Sequence, residues 1–340
     1  DLFRVFIPEE YEGMGLGISG MSIATEELSR VCAGVALGYA GTGLGTMPII
    51  LFGNEEQKKK YLPQIASGEK LAAFGLTEAN AGSDASNIQT IAKKDGDYYI
   101  LTGTKQFITN GEVAGIYTVI ANTDPSKGIR GLSAFIVEKG TEGFTFGKHE
   151  NKMGIRASAT SELVFDNCRV HKSDLLASEG QGFKVAMKTL EYSRLGVGAQ
   201  ALGIAQGAFE EAVKYANERV QFNQKIISFQ MIQQMIADMA ISIEAGRALT
   251  YTGMRYVDGG GADVVKIGSM IKTYCSDMAM KVTTDAVQVL GGYGYIKEYP
   301  VEKMMRDAKI TQIYEGTNQI QRIVLAQEIL KKGCEIKDMY

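Results

Sequence analysis

The chain has 340 residues, which is enough for two or three packed units, and its net charge is −3. This slightly acidic balance excludes a basic face for nucleic acid and a polybasic patch for a membrane surface. The four cysteines have no paired spacing and only two histidines accompany them, so we expect no metal site. A reducing compartment fits best: the cytoplasm or, in a eukaryote, the mitochondrial matrix.

The first part of the chain, residues 1–70, reads as a helical domain. It opens as a loop entering a helix, and we expect that a further N-terminal segment precedes it. Ser19 is a candidate N-cap for a helix from Met21. Residues 31–54 carry no charge, which raises the question of a membrane span. Because six glycines and Pro48 interrupt this stretch, we interpret it as tightly packed buried helices.

The middle part, residues 71–178, has the character of a β domain. Apolar residues alternate with polar ones in short runs, and turn signals such as Asp95-Gly96 separate the runs. This pattern is typical of a β-sandwich or barrel. The predicted strands are 98–101, 116–121, 132–137 and 162–165.

The last part, residues 179–340, returns to helical periodicity. Its long helices suit an antiparallel four-helix bundle, and the chain lacks the βαβ alternation of a dinucleotide-binding sheet. The G-x-G-x-x-G pattern at residues 15–20 follows no apolar strand, so we interpret it as a loop and a helix start. The predicted helices are Phe183–Arg219, Phe229–Val257, Ala262–Leu290 and Asn318–Lys332.

Four segments at the ends of these elements could contact a ligand, although each has an ordinary structural explanation. Residues 74–84 could offer backbone N–H groups to an anion, or simply form a strand-to-turn junction. Residues 107–111 place an aromatic ring beside a threonine hydroxyl, or simply close a strand. Residues 219–222 and 288–292 end two helices, where glycines are first of all C-caps.

The candidate base is Glu315, which precedes the last predicted helix. Thr317 is a plausible N-cap, so Glu315 lies in a short turn ahead of helix N–H groups that we expect to be unpaired. A carboxylate held there, away from other charges, would have its pKa raised by desolvation and could act as a base. The alternative is an ordinary helix-entry acid stabilised by the helix dipole.

Taken together, five segments resemble the flavin-dependent acyl-CoA dehydrogenases. In chain order they read LTEANAGSD, FITNG, RVQF, QVLGGYGY and IYEGTNQIQR. The resemblance spans the chain and implies a mainly α fold with a β domain. That fold has an N-terminal helical domain, a middle β-sandwich or barrel and a C-terminal four-helix bundle, with FAD between the last two. A homotetramer, built as a dimer of dimers, and an electron-transferring flavoprotein as partner are also implied.

The resemblance assigns site residues by their match to the family motifs. The residues that would line or cover the flavin are Phe74, Leu76, Thr77, Gly82, Ser83, Phe107, Ile108 and Thr109. The residues that would hold the adenosine end of FAD, some of them from a neighbouring subunit, are Arg219, Phe222, Gln230, Gln288, Val289, Leu290, Gly291, Gly292, Thr317 and Gln319. The residues that would touch acyl-CoA are Ser83, Glu191, Arg194, Tyr314 and Gly316.

The implied reaction converts a short-chain acyl-CoA to trans-2-enoyl-CoA. The Glu315 N–H and a ribityl hydroxyl of FAD would polarise the thioester carbonyl. Glu315 would remove the α-proton while the β-hydrogen leaves as hydride to flavin N5. Electrons would then pass to the electron-transferring flavoprotein. The alternatives are a dehydrogenase of a cyclic or branched acyl-CoA, an acyl-CoA oxidase, and a non-catalytic scaffold that binds flavin or acyl-CoA.

Several positions depart from the family pattern or bear on the substrate. Phe107 stands where many relatives carry tryptophan. Glu191 replaces the usual aspartate and lies three residues from Arg194, with which it could simply pair. Ser193 stands where branched-chain and long-chain members place their base, which supports the base named above. The small-residue run 39–45 is expected to line the base of the acyl pocket, and its lack of bulk could admit a cyclic or branched group.

Overall fold

The computed structural model describes residues 1–336, which fold into two compact units. The first unit contains residues 1–21, 38–151 and 157–191, and the second contains residues 22–37, 152–156 and 192–336 of the described chain. The element order is helices, then strands, then helices, as predicted. The predicted domain boundaries after residues 70 and 178 stay predictions.

Two helices form the N-terminal part: α1 (Gly17–Phe52) and α2 (Glu55–Ala66). The N-cap of α1 is Leu16, so the prediction of Ser19 was wrong. The Leu16 N–H donates to Val5 O, and the Leu16 carbonyl accepts the first helical N–H, that of Gly20. This tie to the preceding turn starts the helix early, and residues 15–20 are a loop and a helix start, as interpreted.

Helix α1 is long and apolar enough to cross a membrane by length and composition, but 61% of its most apolar stretch is buried within the protein. Its glycines allow close packing in the first unit. A Cβ at Gly45 would lie 2.4 Å from the amide nitrogen of Ala73, and one at Gly41 would lie 2.6 Å from Thr109 Cγ2. Tight packing of a helix therefore explains two glycines of the small-residue run.

The strands of the first unit pair into one eight-stranded sheet, in the order β6-β7-β3-β2-β4-β5-β8 with β1 on β4. The β1–β4 and β2–β4 pairs are parallel and the others antiparallel. The strands are β1 (Ala72–Gly75), β2 (Ile91–Asp95), β3 (Tyr98–Thr109), β4 (Ile116–Asn122), β5 (Leu132–Glu138), β6 (Phe144–His149), β7 (Thr160–His171) and β8 (Leu175–Leu176).

The core of this sheet is apolar and rich in aromatic rings; Phe144 stacks on Phe165 with ring centroids 4.8 Å apart. The four predicted strands are confirmed as parts of β3, β4, β5 and β7. Strands β2 and β6 were not predicted. Each buries only one residue, Ala92 or Phe144, so neither carries a clear alternation of apolar and polar residues.

Within the residues that the structure describes, the second unit is helical apart from one short hairpin. The four predicted long helices are confirmed, and α6 was not predicted because its apolar pattern spans only eleven residues. Helix α5 packs against α4, α6 and α7 and is central to the unit. The elements are α3 (Gly182–Glu218, whose first ten residues belong to the first unit), β9 (Val220–Gln221), β10 (Gln224–Lys225), α4 (Gln230–Asp258), α5 (Val264–Leu290), α6 (Val301–Thr311) and α7 (Asn318–Lys332).

A buried ion pair fixes the loop after β1. Lys105 Nζ lies 2.7 Å from Glu78 Oε1 and 3.2 Å from the carbonyl oxygen of Leu76, and its side chain is fully buried. Burial alone would raise the pKa of Glu78, but Lys105 and hydrogen bonds from Thr90 and Gln89 hold it below its usual value. Burial lowers the pKa of Lys105 to about 8. The pair ties the loop to β3.

Lys105→Met is expected to destabilise the protein by ~3–5 kcal/mol, because it leaves the Glu78 carboxylate buried without its cation. Urea denaturation at neutral pH measures the change. Lys172→Met is the control, since Lys172 pairs with Asp97 on the exposed surface and should have no measurable effect. Equal stabilities of the two variants would contradict the assignment of Lys105 as a buried structural cation.

Candidate active site

Glu315 lies in the turn between α6 and α7 and has φ +54°, a left-handed conformation that is uncommon for a residue with a side chain. Thr317 Oγ1 accepts the N–H of Ile320 at 3.3 Å, which confirms Thr317 as the N-cap of α7. The N–H of Asn318 donates to the carbonyl of Gln312 at 3.0 Å. The prediction of unpaired N–H groups at this helix start was therefore wrong for Asn318 and Ile320.

Glu315 is half-buried as a residue, and protein atoms densely surround its carboxyl group. Burial raises the pKa of Glu315, which is the predicted direction. Ser193 Oγ donates a hydrogen bond to Glu315 Oε2, and the cations of Arg194 and Lys272 also oppose the rise. The expectation that Glu315 lies away from other charges was wrong, because α3 and α5 each bring a cation to this turn.

The residues on either side of Glu315 are also held by the second unit. The Tyr314 hydroxyl donates to Gln200 Oε1, and burial raises the pKa of Tyr314 well above its usual value. Gly316 has φ +90°, and its carbonyl accepts from Lys272 Nζ at 2.8 Å. Arg194 Nε donates to the Glu315 carbonyl at 3.4 Å. Four predicted site residues therefore share one cluster: Arg194, Tyr314, Glu315 and Gly316.

The other predicted acyl-CoA contacts belong to the first unit. Glu191 pairs with Lys188 at 2.9 Å. Ser83 is exposed on the loop that follows β1. Their predicted roles stay predictions, as does that of the small-residue run 39–45 in the acyl pocket.

The predicted flavin residues of the first unit lie at two strand ends. The Gln106 N–H donates to the Thr77 carbonyl at 2.8 Å, so the loop after β1 runs beside the end of β3. Phe107 has φ +60° and is 58% exposed, which leaves its ring free to cover a ligand. The buried members of the set are Phe74, Leu76 and Ile108, and the rest lie on the strand end or the loop: Thr77, Gly82, Ser83 and Thr109.

A cavity of about 520 Å³ in the second unit brings together six of the residues predicted to hold the adenosine end of FAD. The Arg219 guanidinium lies 5.3 Å from the ring centroid of Tyr293, which also lines the cavity. Space is open in front of Gly291 and Gly292, and Gly291 has φ +61°. The six residues are Arg219, Phe222, Val289, Leu290, Gly291 and Gly292; Gln230, Gln288, Thr317 and Gln319 are not among the residues that line it.

Two buried lysines were not identified from the sequence: Lys105, which holds the loop after β1, and Lys272, which contacts the turn that carries Glu315. Lys105 lies in the buried register of β3, two residues beyond Gly103 and four beyond Leu101, and a lysine at such a position calls for a buried acid. Lys272 lies among the buried residues of α5, with Ser269 and Cys275 one turn away on either side. In both cases the sequence signal was a charged residue at a position where the strand or helix pattern predicts a buried side chain.

Comparison with known proteins identifies one family over most of the chain. Three family descriptions match: "Acyl-CoA dehydrogenase, N-terminal domain" over residues 1–69, the "middle domain" over 73–168 and the "C-terminal domain" over 180–330. The chain belongs to the acyl-CoA dehydrogenase family. The recognised family, the fold class with its helical ends and central β domain, and the class of flavin-dependent oxidoreductase are confirmed.

Three comparisons illustrate how similar this acyl-CoA dehydrogenase family member is to known proteins. The short-chain specific acyl-CoA dehydrogenase of Clostridium acetobutylicum is 50% identical over 95% of this chain and 85% of its own length. The structure of butyryl-CoA dehydrogenase from Megasphaera elsdenii has a TM-score of 0.94 and 49% identity over 97% of this chain and 87% of that one. A chain from a structure titled for the electron transferring flavoprotein of Acidaminococcus fermentans has a TM-score of 0.96 and 52% identity, with the same coverage.

Glu315→Gln is expected to make stability depend less on pH. Because the folded pKa of Glu315 is raised, ionisation costs stability; the cost is absent below the unfolded pKa of about 4 and develops as pH rises through the folded value. Thermal denaturation should therefore show a higher Tm than wild type at about pH 8 and little difference at about pH 4. Glu142→Gln, at an exposed turn, is the control. A Tm difference that is constant with pH would contradict the raised pKa.

Proposed function

We propose that this chain dehydrogenates a short-chain acyl-CoA thioester to trans-2-enoyl-CoA, with FAD as cofactor and Glu315 as the base that removes the α-proton. The observation that carries the proposal is the Glu315 carboxyl itself. It is densely surrounded by protein, its pKa is raised, and a hydroxyl donor holds one of its oxygens. A carboxylate made more basic in this way is suited to proton abstraction near neutral pH.

The residues around Glu315 orient the base and the substrate. Ser193 fixes the carboxylate through Oε2, so the side chain keeps one direction. Left-handed geometry at Glu315 sets the direction of its own N–H, which in the proposal polarises the thioester carbonyl. Arg194 binds the backbone of the turn and lies within the set assigned to acyl-CoA, together with Ser83, Glu191, Tyr314 and Gly316.

In the second unit, the residues assigned to the adenosine end of FAD form a cavity that suits this part of the cofactor. The cavity of the second unit combines a guanidinium, suited to a diphosphate, with aromatic rings and with two glycines that leave room for close approach. When bound, FAD would supply the acceptor for the β-hydrogen as hydride. The exposed Phe107 ring and the neighbouring Thr109 are assigned to the flavin end.

The electron acceptor and the assembly belong to the same proposal. We infer an electron-transferring flavoprotein as the redox partner and a homotetramer, a dimer of dimers, as the assembly. The likeness to a chain from a structure titled for an electron transferring flavoprotein supports the first inference. A cytoplasmic location, or the matrix in a eukaryote, stays a prediction.

Glu315→Gln is expected to leave FAD bound and to slow anaerobic flavin bleaching by butyryl-CoA by at least ~10²–10⁴-fold, the usual share of general-base catalysis. Stopped-flow absorbance of the flavin measures the rate. Glu191→Gln is the comparison variant, because Glu191 is the next candidate base; its carboxylate pairs with Lys188. If Glu191→Gln abolished bleaching and Glu315→Gln did not, the base would be Glu191.

The same preparation separates a dehydrogenase from an oxidase. We expect little peroxide per turnover in air and a large gain in rate when an electron-transferring flavoprotein is added. Stoichiometric peroxide without that partner would make the chain an oxidase, and a purified protein that bound no flavin would make it a scaffold. A panel of straight, branched and cyclic acyl-CoAs would identify the substrate class.

Gly292→Leu is expected to weaken FAD binding by roughly 10-fold or more, because overpacking typically costs about 1–3 kcal/mol. The side chain would extend into the open space beside the cavity rather than into protein, so the Tm of the flavin-free protein should not fall. Fluorescence titration with FAD measures the affinity, and Gly292→Ala is the smaller matched variant. Unchanged affinity in the leucine variant would remove this cavity from the FAD site.

A further inference from the structure

Lys272 is a buried cation that the proposed reaction does not use. It lies in the middle of α5, and its side chain has no exposed surface. Its ammonium group donates to the carbonyl of Gly316 at 2.8 Å and to Asn318 Oδ1 at 2.7 Å. Lysines are almost never fully buried unless they are paired, so a cation in this position requires a reason.

The acceptors of Lys272 are Gly316, in the turn that carries Glu315, and Asn318, the first residue of α7. Glu315 and Gly316 are consecutive residues with positive φ, +54° and +90°. Glycine adopts this conformation without strain, whereas a left-handed glutamate is strained and persists only when its surroundings hold it. The backbone carbonyls of Glu315 and Gly316 both accept hydrogen bonds from side chains. Gln321 Nε2 donates to the Glu315 carbonyl at 3.0 Å, and Lys272 donates to that of Gly316.

A network beneath the turn holds these donors in place. Ser269 Oγ donates to Gln321 Oε1 at 2.9 Å, and Asn318 Nδ2 donates to Asp277 Oδ1 at 2.7 Å. Ser276 is also bonded to Asn318, at 2.8 Å. The turn is therefore attached to α5 at several points, and Lys272 is the cation among them.

We propose that Lys272 is a positioning residue for Glu315: its buried ammonium clamps the turn through Gly316 and Asn318, and its charge favours the ionised carboxylate. The proposal rests on the proposed role of Glu315 as base. The hydrogen bonds of Lys272 go to the turn and to the first residue of α7, so in this proposal it acts through Glu315. Its two direct acceptors, a carbonyl and an amide, are neutral, which leaves its positive charge to act on the carboxylate nearby.

Among the described residues, the charged groups with the largest effect on Lys272 are Glu315 from the turn, Arg194 from α3, Asp277 from α5 itself and Arg322 from α7. Burial lowers the pKa of Lys272 to about 8; Glu315 and Asp277 oppose this, while the two arginines add to it. Lys272 therefore keeps its proton at neutral pH. Because a nearby cation favours a carboxylate, removing the charge of Lys272 raises the pKa of Glu315.

The test compares Lys272→Met with Lys266→Met in the FAD-loaded protein. Lys266 is a matched control: it lies in the same helix, is equally buried, and donates to the Glu335 carbonyl instead of the turn. Lys272→Met is expected to slow flavin bleaching by butyryl-CoA by about 10–10²-fold, the scale of a misplaced reacting group. The acid limb of its pH–rate profile should move up by about one pH unit. Lys266→Met should change neither.

A second readout needs neither cofactor nor substrate. Hydrogen exchange of the flavin-free protein, followed by mass spectrometry, should be faster in peptides that cover residues 312–323 of Lys272→Met and unchanged there in Lys266→Met. If exchange accelerates but wild type does not bleach with any acyl-CoA, the proposed function fails and the clamp stands. Unchanged exchange in this segment overturns the clamp, and an unmoved acid limb overturns the effect of its charge.

Asn318→Ala keeps the proposal testable if Lys272→Met does not fold. This variant removes one of the two acceptors and leaves the charge of Lys272 in place. We expect faster exchange over residues 312–323 and slower bleaching, with the acid limb unmoved. Wild-type exchange and wild-type rate in Asn318→Ala would overturn the proposal.

Discussion

The left-handed turn at Glu315 and Gly316 is the constraint on which the candidate site depends. Both carbonyls of this turn accept hydrogen bonds, which Arg194, Gln321 and Lys272 donate from three different helices. The long helices of the second unit therefore do more than fill a core. Side chains from these helices bind the carbonyls of Glu315 and Gly316, and Ser193 orients the Glu315 carboxylate.

Two glutamates, each surrounded by protein, show how such surroundings decide what a carboxylate can do. Glu78 has Lys105 in direct contact and accepts backbone N–H groups as well, so its pKa falls below the usual value despite burial. Glu315 accepts a hydrogen bond from the Ser193 hydroxyl, and Arg194 and Lys272 donate to the backbone carbonyls of Glu315 and Gly316. Burial then dominates and the pKa rises. The first arrangement stabilises an ion pair, whereas the second leaves a carboxylate basic enough to accept a proton.

Features that depend on neighbouring residues could be predicted from the sequence, whereas contacts between distant residues could not. Long elements with a buried face were found, whereas β2, β6 and α6 were missed because their periodic signal is short or mostly exposed. The turn and the Thr317 cap were also found, since both are read from a few adjacent residues. The contact of Ser193 with Glu315 spans 122 positions and that of Lys272 with Gly316 spans 44. Such contacts depend on how helices pack, which periodicity does not specify.

A buried lysine supports a predicted ligand loop in each unit, but the two lysines cannot play the same part. Lys105 donates to the Leu76 carbonyl and also contacts the carboxylate of Glu78, so its charge is neutralised where it lies. Lys272 donates to a carbonyl and an amide, and Glu315 is the charged group with the largest effect on it. A leucine or methionine could fill either space. Only a cation can hold a carbonyl and at the same time favour an ionised base, and that double requirement explains why α5 buries a lysine beneath this turn.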